Sequence, residues 1–213
     1  MATFQNAAGS GVLKRMISAI QENKAHLGEI DGLIGDGDHG MNMNKGFTLY
    51  QEELADQEVS LSNGLYDLGQ VLFNKIGGSM GPIYGTLFME MSDQIENAES
   101  IDLKLFADML KAGLAGLYEI IDARPGDKTL VDSLHPAIES LEESIKADKS
   151  FGEALESMKG AAQKGRDATI DMVAKFGRSS RLGERSRGVL DAGATSCSLI
   201  LCAMADGMLS ELQ

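Results

Sequence analysis

Three aspartates lie close together in a glycine-rich stretch near the start of the chain. Asp36 and Asp38 are two residues apart, and Asp31 precedes Asp36 by five residues. Residues two apart point to different sides of a helix, but in an extended loop they point to the same side. Carboxylate oxygens at such spacing are the ligands that a hard divalent cation such as Mg²⁺ requires. We therefore predict a metal site at Asp31, Asp36 and Asp38 that holds the phosphates of a nucleotide.

The aspartate loop could also have a purely structural role. Asp and Gly are common in turns, so the aspartates could serve only as turn formers and helix caps. The sequence argues against an EF-hand, because its glycine position is Met41 and its bidentate glutamate position is Phe47. The G-x-x-x-x-G-K-[ST] motif of P-loop proteins is absent from the sequence. The joint spacing favours metal, with room for two cations, because Mg²⁺ usually takes only one or two carboxylates.

Three further connections carry residues that suit phosphate binding. Residues 77–82 (GGSMGP) place a glycine-rich turn before a helix start, where free backbone N–H groups favour anions. Residues 124–129 (RPGDKT) form another clear break. Residues 177–193 form a connection of about seventeen residues, a length that is usually functional or disordered inside a compact domain. It contains four of the 19 basic residues, namely Arg178, Arg181, Arg185 and Arg187.

The arginine-rich connection has two interpretations. Four arginines are compatible with a solvated surface loop and no further role. They are equally compatible with a lid whose Arg178 guanidinium contacts a transferring phosphoryl group and closes over the nucleotide. At its end, Asp191, Ala192 and Gly193 either cap the last helix only or also clasp the nucleotide.

Hydrophobic periodicity predicts eight helices that position these loops. Their predicted ranges are 6–27, 41–55, 63–75, 82–96, 102–121, 129–146, 150–174 and 193–211, with Ser60 or Ser62 and Ser150 as candidate caps. No run shows the alternation of a β-strand, so we predict an all-α fold, an eight-helix antiparallel up-down barrel or bundle. The aspartate loop and the three further connections are the first, third, fifth and seventh connections between predicted helices. Alternate connections emerge at the same end of an antiparallel bundle. These four loops should therefore form one site at one rim.

Net charge, hydropathy and cysteine content indicate which partners and compartment the protein has. The formal net charge of −13 and the pI near 4.6 argue against nucleic-acid and membrane partners, which require a basic face. The most apolar stretch, Ala192–Leu209, contains Asp206 and is typical of a buried helix rather than a membrane span. Two cysteines without a metal-ligand pattern suit a reducing cytoplasm. We expect one cytoplasmic domain over residues 1–213.

These motifs together resemble those of the nucleotide-binding L subunit of dihydroxyacetone kinases. Residues 29–47 (EIDGLIGDGDHGMNMNKGF) resemble the signature of that family. Residues 77–86, 125–129 and 177–196 resemble its next three loops, so the resemblance covers essentially the whole chain.

The resemblance implies an eight-helix antiparallel barrel with the nucleotide at one rim. It implies that Asp31, Asp36 and Asp38 ligate two Mg²⁺ ions that bridge the phosphates of ADP or ATP. It also implies a set of nucleotide contacts on the other loops, with Arg178 as the catalytic cation. Those contacts are His39, Gly40, Met41, Asn42, Ser79, Met80, Thr86, Leu130, Arg178, Asp191, Ala192 and Gly193.

The activity implied by the resemblance is phosphoryl transfer between two partner proteins, of the phosphoenolpyruvate-dependent type. ADP stays bound and is rephosphorylated in place by an M subunit that carries a phosphohistidine. The phosphoryl group then passes to dihydroxyacetone held on a K subunit, which supplies the general base. Two alternatives stay open. One is a subunit that exchanges free ATP and serves another small ketose, and the other is a nucleotide-bound regulatory module.

Overall fold

The computed structural model describes residues 2–54 and 57–212. Its described part is mostly helical, with only one short strand pair, which confirms the all-α fold. The helices are α1 (Gly9–Glu22), α2 (Lys24–Ile34), α3 (His39–Leu54), α4 (Leu61–Lys75), α5 (Met80–Ile95), α6 (Leu103–Ile120), α7 (Val131–Lys146), α8 (Phe151–Ala168) and α9 (Ala192–Leu209). The predicted end of the second helix at residue 55 lies outside the described residues.

Helix starts follow from side-chain caps that the sequence contains. The Ser60 hydroxyl accepts a hydrogen bond from the Asn63 N–H at the start of α4. Ser150 opens α8 with a capping box, in which Glu153 accepts a hydrogen bond from the Ser150 N–H. Each cap satisfies backbone donors that a helix start leaves without partners. The structure thus confirms Ser150 as a cap and selects Ser60 over Ser62.

The first predicted helix, 6–27, is in fact two helices. The chain breaks at Asn23, whose side-chain amide donates to the Ala19 carbonyl oxygen over 2.8 Å. Asparagine readily satisfies a carbonyl at a helix end in this way and thereby favours termination. Because α2 then continues to Ile34, Asp31 lies in the last turn of a helix and not in the loop where we expected it.

Short elements also differ from the predictions. Phe4–Gln5 (β1) and Ser100–Ile101 (β2) form a small antiparallel pair that no alternating pattern announced. The seventh predicted helix, 150–174, ends at residue 168 and continues as a single 3₁₀ turn, Thr169–Asp171. Residues Ser179–Ser186 of the arginine-rich connection are also 3₁₀-helical.

Helix α9 is largely buried. It packs against α1, α2, α7 and α8. In the described part of the chain it alone is long and apolar enough to cross a membrane, yet 72% of that window is buried within the fold. At Gly207, an added Cβ would lie 2.8 Å from the Cα of Val12, so only glycine allows α1 this close. The predicted buried helix, rather than a membrane span, fits this packing.

Candidate functional site

The four loops with predicted chemistry meet at one cavity of about 460 Å³. They connect α2 to α3, α4 to α5, α6 to α7 and α8 to α9. The cavity is polar at the aspartate loop, and its other walls contain apolar side chains. The apolar residues are Met80, Ile83, Ile120, Ile121, Ala123, Leu130, Phe176 and Ala192. This shape suits a ligand that has one charged end and one apolar end.

The three aspartates converge at the polar end. One oxygen from each of Asp31, Asp36 and Asp38 lies within 4.8 Å of the other two, the only such group among the described residues. Gly37 has a φ of +76°, which lets the loop turn sharply between Asp36 and Asp38. Burial, followed by the negative charges of its two neighbours, raises the pKa of Asp38. A bound divalent cation would remove this repulsion, so the donor set fits Mg²⁺.

Asp31 also has a structural role. Its Oδ2 accepts a hydrogen bond from the His39 N–H over 3.3 Å, at the start of α3. The predicted capping role is therefore correct for this residue. It does not displace the predicted metal site, because a carboxylate has about four lone-pair sites and this bond uses one.

A chain of polar side chains lies beneath the aspartate loop. His39 Nε2 is 2.8 Å from Ser196 Oγ, and Tyr84 Oη is 2.6 Å from the same oxygen. Burial lowers the pKa of His39 to about 4, against the opposing charge of Asp31. The imidazole is thus neutral near pH 7. The hydrogen bonds of His39, Tyr84 and Ser196 connect α3, α5 and α9 near their N-terminal ends. Sequence reasoning missed Tyr84 and Ser196, because each sits in an apolar helical pattern.

The start of α5 differs from the start of α9 at the cavity. Ser79 precedes α5 without a side-chain cap, whereas Asp191 caps α9 by accepting from the Ala194 N–H over 2.7 Å. Backbone N–H groups without a side-chain cap at a helix start favour a bound anion. Gly78, with a φ of +72°, makes the turn that brings Ser79 to the cavity.

The arginine-rich connection reaches across the cavity to the aspartate loop. Arg178 Nη1 lies 2.7 Å from Asp36 Oδ2. In the structure the whole segment between α8 and α9 spans residues 169–191, and we call its residues 173–186 the lid. The end of the connection carries a second perturbed carboxyl group, since burial raises the pKa of Asp191 to about 7 in spite of the Ala194 N–H and the nearby Lys128.

Most of the predicted site residues line the cavity. They are Asp31, Asp36, Asp38, His39, Ser79, Met80, Leu130, Arg178, Asp191, Ala192 and Gly193. The cavity lining does not include Gly40, Met41, Asn42 and Thr86, so their contact with a nucleotide stays a prediction.

These four residues have different surroundings. Gly40 is buried, and an added Cβ there would lie 2.0 Å from the Lys24 carbonyl oxygen, so α2 and α3 touch at this point. Met41 is 70% exposed. The Asn42 backbone N–H donates to the Asp38 carbonyl oxygen over 2.9 Å, so Asn42 belongs to the first turn of α3 beside a predicted metal ligand. Thr86 lies farther along α5 and is half-buried.

Comparison with known proteins assigns the chain to a family. The model of the DAK2 domain matches residues 33–206. The chain is 37% identical over 183 residues to "PEP-dependent dihydroxyacetone kinase, ADP-binding subunit DhaL" of Escherichia coli, a match that covers 84% of this chain and 86% of that one. It is 36% identical over 186 residues to "PEP-dependent dihydroxyacetone kinase 1, ADP-binding subunit DhaL" of Listeria innocua, covering 87% and 88%.

A solved structure shares the fold. The native form of the dihydroxyacetone kinase of C. freundii superposes with a TM-score of 0.73 at 24% identity. The match covers 95% of this chain and 35% of that longer chain. This helical arrangement is therefore also found in a crystal structure.

Proposed function

The chain belongs to the DAK2 domain family, and we propose that it is the ADP-binding subunit of a phosphoenolpyruvate-dependent dihydroxyacetone kinase. The observation that carries the proposal is the convergence of three carboxylates, an open helix start and Arg178 on one cavity. Relatives that match over most of their length are named as ADP-binding subunits of such kinases. We propose that residues 1–213 act as one nucleotide-binding domain in the cytoplasm.

We propose that ADP lies with its phosphates at the aspartate loop and its base against the apolar walls. A nucleotide diphosphate and three aspartates repel one another, so binding requires cations between them. Asp31, Asp36 and Asp38 would hold two Mg²⁺ ions, which supply charge neutralisation for the phosphates. Ile83, Ile121 and Leu130 would pack on the base.

Phosphoryl transfer mainly requires positioning and neutralisation of charge rather than covalent chemistry by the protein. The open N-terminus of α5 would donate backbone hydrogen bonds to phosphate oxygens. Arg178 would leave Asp36 and place its guanidinium on the transferring phosphoryl group, for which its planar fork is suited. His39 would contribute as a neutral hydrogen-bonding group that holds α3 in place.

The acid–base work would belong to the partners in this scheme. We propose that an M subunit with a phosphohistidine rephosphorylates the bound ADP. The phosphoryl group would then pass to dihydroxyacetone held on a K subunit, which supplies the general base.

Reconstitution tests this proposal. The purified chain is mixed with K and M subunits, and phosphorylation of dihydroxyacetone is followed with phosphoenolpyruvate and the general phosphotransferase proteins, or with ATP alone. We expect many turnovers with phosphoenolpyruvate and at most one per bound nucleotide with ATP. Asp36→Asn should abolish turnover, whereas the matched variant Asp93→Asn, at the exposed far end of α5, should retain it.

Two other outcomes would select the alternatives. Sustained turnover with ATP alone would indicate a subunit that exchanges free nucleotide. Tight ADP binding without transfer under either condition would overturn the kinase proposal and leave a regulatory binding module.

A further inference from the structure

The two ends of the segment between α8 and α9, residues 169–191, lie side by side below the lid. The Gly188 N–H donates to the Ile170 carbonyl oxygen over 2.7 Å. The Asp191 N–H donates to Thr169 Oγ1 over 3.0 Å. Residues 169–172 and 187–191 thus form a closed neck, and the lid projects from it. A compact loop with its ends held together can move as one unit.

Lys128 enters this neck from a different loop, the one between α6 and α7. Its side chain is almost fully buried, with 1% of the residue exposed. Nζ donates to the carbonyl oxygens of Thr169 over 2.6 Å, Val189 over 2.5 Å and Met172 over 3.3 Å. An ammonium group has three N–H donors, so all of them are used. One lysine therefore bridges both sides of the neck.

The position is costly for a lysine. Among the described residues, no carboxylate lies within ion-pair distance of Lys128, so the direct partners of its ammonium group are carbonyl oxygens. Its φ is +62°, a region that side chains other than glycine rarely adopt. Strained residues with buried charge persist where the surroundings fix them, often at functional sites.

A second contact joins the same loop to the beginning of the lid. Lys175 Nζ lies 2.6 Å from Asp127 Oδ1, and the Lys175 N–H donates to the Asp127 carbonyl oxygen over 3.2 Å. Lys128 itself lines the cavity, as do Thr129 and Leu130, which follow it directly. The loop that forms one cavity wall is thus the loop that holds the neck.

We infer that Lys128 is a positioning residue that pins the neck of the lid, so that the lid holds Arg178 over the cavity. The inference rests on the proposed function for its ligand, ADP, but the neck can be tested without any ligand. Although Lys128 lines the cavity, its three N–H donors all go to carbonyl oxygens of the neck, so it would act through Arg178 rather than on the phosphates.

Limited proteolysis of the ligand-free protein tests the pin. Trypsin should cut the lid after Arg181 and Arg185 at least about tenfold faster in Lys128→Met than in the wild type, since charged hydrogen bonds are lost. Cutting in the α7–α8 turn, after Lys146 and Lys149, should stay unchanged. Lys159→Met, which removes an exposed ion pair to Asp206, is the matched control. Equal acceleration at all sites would show only general destabilisation and would overturn the inference.

ADP release with Mg²⁺ tests the coupling to Arg178. Lys128→Met should speed release of a fluorescent ADP analogue about tenfold in the wild-type background, and much less in Arg178→Ala. If Lys128→Met speeds ADP release by the same factor in the wild-type and the Arg178→Ala backgrounds, the inference is overturned. If the wild type binds no ADP, the proposed function fails, while proteolysis still decides the role of Lys128.

Hydrogen exchange on the wild type covers the case in which Lys128→Met does not fold. The amides of Gly188 and Asp191 in the neck should exchange about a hundredfold more slowly than the amides at residues 181–185. Equal rates would show that the neck is no more rigid than the lid and would overturn the inference.

Discussion

Arg178 forms an ion pair with Asp36, with 2.7 Å between Nη1 and Oδ2. This contact joins the lid directly to the loop on which we propose the metal site. A guanidinium and a Mg²⁺ ion would compete for the same carboxylate, because each is a cation. Arg178 keeps 63% of its side chain exposed, so it is free to turn toward a phosphate when the metal takes Asp36. The pair therefore links lid position to ligand state.

Replacement of Arg178 tests its proposed catalytic role. Arg178→Ala should lower the rate of phosphoryl transfer by about 10²–10³-fold, because the charge of the transferring group loses its guanidinium partner. Arg178→Lys should recover only part of this loss, since an ammonium lacks the planar fork. Single-turnover transfer from labelled ATP to dihydroxyacetone on the K subunit measures both effects.

Arg181→Ala is the matched control for these variants. Arg181 lies in the same lid, is exposed and makes no side-chain ion pair among the described residues. A loss of rate as large as that of Arg178→Ala would assign the effect to lid charge in general and would contradict the specific role.

Asp36→Asn tests the metal site, because its effect on ADP affinity should have opposite signs with and without Mg²⁺. With Mg²⁺ present, ADP affinity should fall at least about tenfold, because a metal ligand is lost. Without Mg²⁺, ADP affinity should rise slightly, because one repelling charge is removed and Arg178 is released. Calorimetric titrations with and without Mg²⁺ separate the two contributions. A fall of the same size under both conditions would argue against a metal at Asp36.

The raised pKa of Asp191 predicts how the stability of the ligand-free protein depends on pH. Burial raises its pKa to about 7, against an ordinary value of 3.8. The folded state therefore holds the proton more tightly than the unfolded state, and this contribution to stability is lost as pH rises through about 7.

Asp191→Asn isolates that contribution, because asparagine caps a helix as well as aspartate does. Between pH 5 and pH 8, the free energy of unfolding of the wild type should fall relative to that of the variant by about 1–3 kcal/mol. Urea denaturation at both pH values measures the difference. Parallel pH dependence of the two proteins would show that Asp191 titrates normally.

Gly40 separates packing from ligand contact. Gly40→Ala should destabilise the protein by about 3 kcal/mol or more, because its Cβ would lie 2.0 Å from the Lys24 carbonyl oxygen. The control Gly160→Ala, in α8 with no atom within 4 Å of the added Cβ, should be stabilising by about 0.5–1 kcal/mol. Thermal unfolding compares them. A stable Gly40→Ala protein that fails to bind ADP would instead support direct nucleotide contact at Gly40.

Much of the fold could be predicted because its information is local. Capping residues such as Ser60 and Ser150 mark helix starts, and apolar periodicity marks the buried faces. Asp36 and Arg178 lie in odd-numbered connections, which predicts that they share one end of the bundle, and they are in contact. Antiparallel packing of neighbouring helices is sufficient for this conclusion.

Other features depend on contacts that no local pattern encodes. The break at Asn23 was missed because apolar residues continue at helical spacing on both sides of it. The neck bonds of Lys128 span 41 to 61 residues of sequence, so nothing near Lys128 indicates them. Tyr84 and Ser196, 112 residues apart, meet only because α5 and α9 start at the same cavity.

Native mass spectrometry tests the central claim most directly, that this cavity holds ADP through Mg²⁺ on the three aspartates. The wild type incubated with ADP and Mg²⁺ should carry one ADP and two Mg²⁺ ions. Asp36→Asn should lose bound metal, and Asp93→Asn should not. Detection of only the bare chain for the wild type at saturating ADP and Mg²⁺ would contradict the account.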